Sequence, residues 1–196
     1  MIEIDYPCRP ARREDTPVLA ELVNMAGEGL PLHAWSRMAE AGQSPWQVGH
    51  ERALREEGAF SYRNAVVREA DGRVVACLVG YALEDDPNPS DYSEIPPMFV
   101  PLQELEDLAP GTWYVNVLAT LPAFRGRGIG GELLSIAERV AAGLGMRGLS
   151  IIVADSNVGA RRLYERHGYV ERARRRMVKE DWESAGKEWV LLVKAL

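Results

Sequence analysis

From Leu118 to Leu134 the chain reads LATLPAFRGRGIGGELL. An apolar run (TWYVNVLATL) feeds a turn holding Gly126, Gly128, Gly130 and Gly131, and a helical pattern over about 128–143 follows. A buried strand that turns through glycines into a helix confines the chain to α/β architectures. It also makes an anion site. The first amides of a helix lack intrahelical partners and sit at the positive end of its dipole. Glycines let several amides converge on one phosphate, and Arg125 and Arg127 add positive charge beside them.

Three readings of such a turn compete. A P-loop needs GxxxxGK[ST], and no Lys-Ser or Lys-Thr stands here. The dinucleotide fingerprint GxGxxG is met literally by Gly126, Gly128 and Gly131, with Asp155 placed downstream where a ribose-binding acid would sit. Against it, Thr120 to Arg125, with Pro122, separate the strand from the glycines, and little chain is left to complete a doubly wound sheet. The third reading depends on what surrounds the turn.

Along the rest of the chain, IEIDYPCRPA reads as a first strand. Thr16 caps a helix whose Val18, Leu19, Leu22, Val23 and Ala26 share a face, ended by Gly27 and Gly29. Residues 33–57 form one or two short helices broken near Gly42 to Pro45, with Trp35, Met38, Trp46 and Leu54 as buried positions. Two β-rich runs flank Asp71-Gly72, a type I′ hairpin signal. Residues 85–110 are acidic and Pro-rich and read as a long surface loop insertion with a short helix near 101–108. GLSIIVAD is a buried strand, SNVGARRLYERHG a capped helix ending at Gly168, and YVERARRRMVK and EWVLLVKAL the last two strands. The expectation is one mixed α/β domain over residues 1–196.

Charge is uneven. The net charge of −6 argues against general nucleic-acid binding. Residues 120–179 nevertheless carry +7 and the remainder −13, which suits an anionic ligand on one surface and a cationic one on another. Cys8 and Cys77, the two cysteines, make neither a disulfide framework nor a metal knuckle, and a reduced, cytoplasmic setting fits. No apolar run is long enough for a membrane helix, and the charged start MIEIDYPCRPARRED is unlike a signal peptide.

Two motifs now stand together. LPAFRGRGIGGELL resembles the [RQ]xxGx[GA] acetyl-CoA signature of the GNAT superfamily of N-acetyltransferases, through Arg125, Gly128 and Gly130. NVGARRLYERHGY resembles its second signature through Asn157, Ala160, Leu163, Tyr164, Gly168 and Tyr169. The resemblance is close over about residues 111–170. It implies a mixed, mostly antiparallel central sheet flanked by helices, with two strands splayed at the cofactor site. It implies acetyl-CoA as co-substrate and no metal. Leu118, Ala119 and Thr120 would pair with the pantetheine arm, and the Leu118 amide would stabilise the thioester oxyanion. Arg125, Gly126, Arg127, Gly128, Ile129, Gly130 and Gly131 would wrap the pyrophosphate. Asn157 and Ala160 would border the pantetheine, Asn157 serving equally as a helix cap, and Tyr164 would be the general acid.

The same resemblance implies direct attack of a primary amine in a ternary complex, and a homodimer through the C-terminal strands. Tyr114, Asn116 and Leu118 share a face of the central strand and none is a good base. Deprotonation through water is the expectation, with Glu28, His33, Glu84 and Asp85 as outside candidates. The acidic remainder favours a small cationic or peptide amine, and Trp35, Trp46, Trp113, Tyr92 and Phe99 are candidates for an acceptor cleft. Two other functions stay open: a non-enzymatic acyl-CoA-binding module, and a nucleotide-dependent oxidoreductase.

Overall fold

A computed structural model describes residues 4–85 and 91–196. In chain order the elements are β1 (Cys8–Pro10), α1 (Thr16–Ala26), α2 (Leu30–Met38), α3 (Pro45–Ala53), β2 (Ala65–Ala70), β3 (Arg73–Ala82), α4 (Val100–Glu106), β4 (Thr112–Thr120), α5 (Ile129–Gly143), β5 (Gly148–Ala154), α6 (Val158–Arg166), β6 (Val170–Arg176) and β7 (Glu188–Ala195). The fold is a single α/β fold with a mostly antiparallel sheet. The contacts divide into two units, and β4 contributes to both: Glu3–Gly80 with Asn116–Leu133, and Tyr81–Val115 with Leu134–Leu196.

In the first unit the strands run β1-β2-β3-β4. The β2–β3 hairpin turns at Asp71 and Gly72, both with positive φ (52° and 71°), the geometry a type I′ turn requires. β3 is buried on both faces from Val75 to Gly80, as an interior strand must be. α1 packs on α2 and α3. The Leu19, Ala20, Leu22 and Val23 face of α1 joins Trp35, Val48, Phe60, Val67, Cys77, Val79, Val117 and Ala119 in one core cluster.

The helix starts differ from expectation. Thr16 is the first residue of α1 rather than its cap; Asp15 precedes it and makes no side-chain cap bond. The Asp15 carboxylate instead takes Arg9 in two bonds (2.7 and 3.0 Å) and the Arg12 amide (2.7 Å). The break between α2 and α3 falls where expected, and Ser44 caps α3 by accepting from the Gln47 amide. Of the four apolar positions expected to be buried there, Trp35 is. Met38, Trp46 and Leu54 are exposed (50%, 36% and 37%) because they flank the apolar stripe of short helices.

In the second unit the order is β4-β5-β7-β6. β4 and β5 are parallel, Thr112 to Val115 lying opposite Gly148 to Ile151. β5–β7 and β7–β6 are antiparallel. Thr112 donates to the Ala109 carbonyl, so the Ser150 hydroxyl, 2.7 Å away, donates to Thr112 and both buried hydroxyls are satisfied. Among the described pairings β4–β5 is parallel and β1–β2, β2–β3, β5–β7 and β7–β6 are antiparallel, unlike the parallel sheet of a doubly wound dinucleotide fold. Asp155, the candidate ribose acid, accepts the Lys187 amide and ties β5 to the chain entering β7.

The acidic, Pro-rich segment was expected at the surface. Residues 91–110 instead bury Met98, Leu105 and Ala109, and α4 packs against β5, β6 and β7. Its lead-in at 86–90 lies outside the described residues. The arginine run lies on β6, the edge strand of this unit, with Arg174 paired to Glu171 and Glu188 and Arg175 to Glu104.

Leu22→Ala removes a fully buried side chain from the α1 face. It should cost about 2–5 kcal/mol in chemical denaturation. A loss under about 1 kcal/mol would mean the cluster re-closes around the deletion.

Candidate functional site

The glycine turn belongs to the first unit. Along the second half of β4, Val117 and Ala119 are buried, while Asn116, Leu118 and Thr120 are half-buried on the other face. The Leu121 amide donates to the Val75 carbonyl, closing the strand. A single turn over Pro122–Phe124 follows, anchored by buried Phe124. The Arg127 guanidinium stacks over that ring at 4.9 Å and donates to the Ala123 carbonyl. Arg125 folds back to the Thr120 carbonyl (3.1 Å). Both guanidiniums are thus positioned without an acidic partner among these contacts.

Gly126 and Gly128 have φ of +74° and +82°, and a Cβ at either would meet nothing within 4 Å. These glycines serve the backbone path rather than close packing: an L residue there would be strained although space is open. The segment Arg125–Gly128 is exposed, Ile129 buries its side chain, and Gly130 and Gly131 lie in the first turn of α5. The acid of that turn, Glu132, is engaged by the Cys8 thiol and the Arg68 guanidinium. An exposed helix start, small residues and two arginines are what an anion needs.

In the second unit Asn157 caps α6, its Oδ1 accepting from the Ala160 amide (3.2 Å). Tyr164 is buried on the inner face of α6, its ring 5.9 Å from that of Tyr169. Burial lifts the Tyr164 phenol above its ordinary value, so it is protonated at neutral pH. The Tyr169 hydroxyl is buried with no hydrogen-bond partner among the described residues.

The sequence reading missed a second group in this unit. Glu106, at the end of α4, accepts a hydrogen bond from the Tyr81 hydroxyl (3.0 Å). The Tyr81 ring meets buried Tyr114 edge-on at 5.4 Å. Burial is the main cause that pushes the Glu106 carboxyl up to about 7; neighbouring Asp107 adds to the rise and the Tyr81 bond opposes it. The Tyr114 phenol is raised well above its usual value, by burial first and then by Glu106, Tyr81 and Tyr164. Tyr114 therefore senses Glu106, Tyr81 and Tyr164. The only sequence signal was an acidic helix with a tyrosine at the end of the preceding strand.

The earlier base candidates fare differently. Asp85 is paired with Arg147. Glu28 stands at a positive φ in the turn after α1, and His33 lies in α2. Of the aromatic candidates, Trp35 stacks on Phe60 inside the core, Trp113 is buried in β4, and Tyr92 donates to Asp107 (2.8 Å). Cys8 and Cys77 are both buried, and burial pushes the Cys77 thiol up to about 12, so it is no nucleophile. No group of metal-ligating side chains is found among the described residues, and no helix there is long and apolar enough to cross a membrane.

Residues 32–169 match the Acetyltransferase (GNAT) family. The chain belongs to that family. No curated protein matches the sequence. Among solved structures, it is similar to an acetyltransferase at 22% identity, with 96% of this chain and 98% of that one covered and a TM-score of 0.65. It is also similar to an N-acetyltransferase from Staphylococcus aureus Mu50 (21% identity, 95% and 98% covered, TM-score 0.61). A third is a GNAT family acetyltransferase from Elizabethkingia anophelis with acetyl-CoA bound (19% identity, 67% and 75% covered, TM-score 0.50). At these identities the likeness is one of fold.

The raised Glu106 carboxyl has a consequence for stability. A carboxyl near 4.3 in the unfolded chain and near 7 in the fold stabilises the fold when protonated. That contribution is complete below the unfolded value and is lost as pH rises through about 7. Glu106→Gln should therefore be more stable than wild type at pH 8, and lose that advantage towards pH 4.5, by on the order of 3 kcal/mol across the window. Thermal melts of both proteins over this range check it, and a constant difference would contradict it.

Proposed function

We propose that the protein is an N-acetyltransferase that moves the acetyl group of acetyl-CoA to a primary amine by direct attack in a ternary complex. The observation that carries this reading is the exposed turn at Gly126 and Gly128, left-handed at both glycines, opening α5 beside Arg125 and Arg127. The acetyl-CoA-bound Elizabethkingia structure of similar fold supports the choice of co-substrate. The amides from Gly126 to Gly131 hold the pyrophosphate, with the two arginines beside it. Leu118, Ala119 and Thr120, on the outgoing half of β4, pair with the pantetheine arm. This requires β4 and β5 to part beyond the pairs Thr112↔Gly148 to Val115↔Ile151. Asn157, its Oδ1 already used as a cap, offers its amide N–H to the arm, and Ala160 leaves room for it. The single-domain reading of residues 1–196, a cytoplasmic setting and a homodimer belong to this proposal.

Acetyl-CoA brings a thioester activated for acyl transfer. The chain supplies placement and protons. The Leu118 amide donates to the carbonyl oxygen as it gains charge, commonly the largest contribution in acyl transfer. Tyr164 gives its proton to the departing sulfur. A buried phenol above pH 10 is a weaker acid than a thiol near 8.5, so a proton handed over after departure would move uphill. The transfer is therefore coupled to re-protonation of the phenol: the nitrogen, made acidic as the N–C bond forms, supplies that proton.

Tyr164→Phe should lower kcat by about 10²-fold or more and leave the acetyl-CoA Kd within about twofold in a thiol-release assay paired with calorimetry. Unchanged turnover would remove Tyr164 from the reaction. Gly128→Val forces a branched side chain to φ near +82°. It should weaken acetyl-CoA binding at least about tenfold; binding at wild-type strength would place the pyrophosphate elsewhere.

A further inference from the structure

Resting on that reading, we infer that the acceptor's ammonium group binds at the Glu106 carboxylate, beside Tyr81 and Tyr114, and gives up its proton there. The carboxyl is half-buried at the end of α4, and its described contacts include no cation. Its Oε2 accepts from Tyr81 and no described group donates to Oε1. A carboxylate partly taken out of water without a cation beside it is costly in proportion to the solvent it loses. An incoming ammonium cancels that cost, so the site selects a protonated primary amine over a neutral alcohol or amide.

The groups facing Glu106 are few. Tyr81 comes from β3, Tyr114 from β4, and Asp107 follows it in the chain. Tyr164 completes the set through Tyr114. All belong to one unit. Tyr81 donates to the proton acceptor, Tyr114 packs on Tyr81, and Tyr164, the group proposed to protonate the sulfur, lies beside Tyr114. The ring faces of Tyr81 and Tyr114 add cation–π attraction for an alkylammonium.

The protons balance. The ammonium passes one proton to the Glu106 carboxylate and becomes a neutral amine. Its lone pair forms the N–C bond at the thioester carbon, and the C–S bond breaks. The sulfur takes a proton from Tyr164, and the nitrogen loses its second proton, which restores the phenol. Glu106 then returns its proton to solvent, so one proton is released for each amide and thiol formed. Tyr81 is a positioning residue: its hydrogen bond favours the charged carboxylate and holds the carboxyl's titration down.

The test follows the Glu106 carboxyl carbon by NMR in glutamate-labelled protein, with and without CoA, assigned by its absence in Glu106→Gln. Ethylammonium is the probe and 1-propanol its uncharged control. The expected result is a titration near pH 7 that ethylammonium lowers by at least one unit and 1-propanol leaves in place. Tyr81→Phe should raise it. With spermidine, glucosamine and lysine as acceptors, Glu106→Gln should lose at least 10²-fold in kcat and the acidic limb of the pH profile. A carboxyl titrating near 4.3, or one that ethylammonium does not move, overturns the inference. So does a Glu106→Gln enzyme that keeps its acidic limb. Acetyl-CoA calorimetry separates the two readings: binding with an indifferent Glu106 sinks this inference alone, and absent binding sinks the acetyltransferase reading.

Discussion

β4 is the constraint on which everything else rests. Its first four residues pair in parallel with β5, and its last five continue into the glycine turn. With Val117 and Ala119 buried between half-buried Asn116, Leu118 and Thr120, the second half of the strand has no freedom to slip, because a one-residue shift would exchange its buried and half-buried faces. That fixed register sets the face that Asn116, Leu118 and Thr120 present, and sets where Pro122 stops the sheet. The turn beyond inherits its position from buried Phe124 and Ile129. Exposed amides and arginines are therefore held by apolar anchors on either side.

The chemistry divides along the same line as the contacts. The turn proposed to bind the anion, with Arg125 and Arg127 beside it, falls in the first unit. One raised carboxyl and the buried phenols proposed to move protons fall in the second. The +7 of residues 120–179 within a chain of net −6 does not map simply onto this division. Much of that positive charge sits on α6 and β6, where Arg161, Arg174 and Arg175 are already paired with glutamates. The two arginines beside the turn are Arg125 and Arg127.

What the sequence revealed was local or periodic. The hairpin at Asp71-Gly72, the end of α6 at Gly168 and the glycine turn are set by backbone conformations that few residues adopt. The two family signatures marked the candidate site for the same reason. Burial in short helices was less legible: Met38, Trp46 and Leu54 have apolar side chains, but two turns of helix cannot hide every one. Thr16 looked like a cap because a hydroxyl ahead of an apolar stripe usually is one; the Arg9–Asp15 pair shifted the start by a residue. Glu106 was illegible for a deeper reason. Its properties come from Tyr81 and Tyr114, which reach it through sheet pairing and not through any spacing along the chain. An acidic, Pro-rich stretch reads as solvated surface until Met98 and Leu105 are seen to pull it into the core.

Calorimetric titration of the purified protein with acetyl-CoA, set against NADH under the same conditions, bears most directly on the central claim that the turn from Gly126 to Gly131 grips the diphosphate of an acyl carrier. The account predicts saturable one-to-one binding of acetyl-CoA and no heat from NADH. Binding of NADH without acetyl-CoA, or of neither, would contradict it.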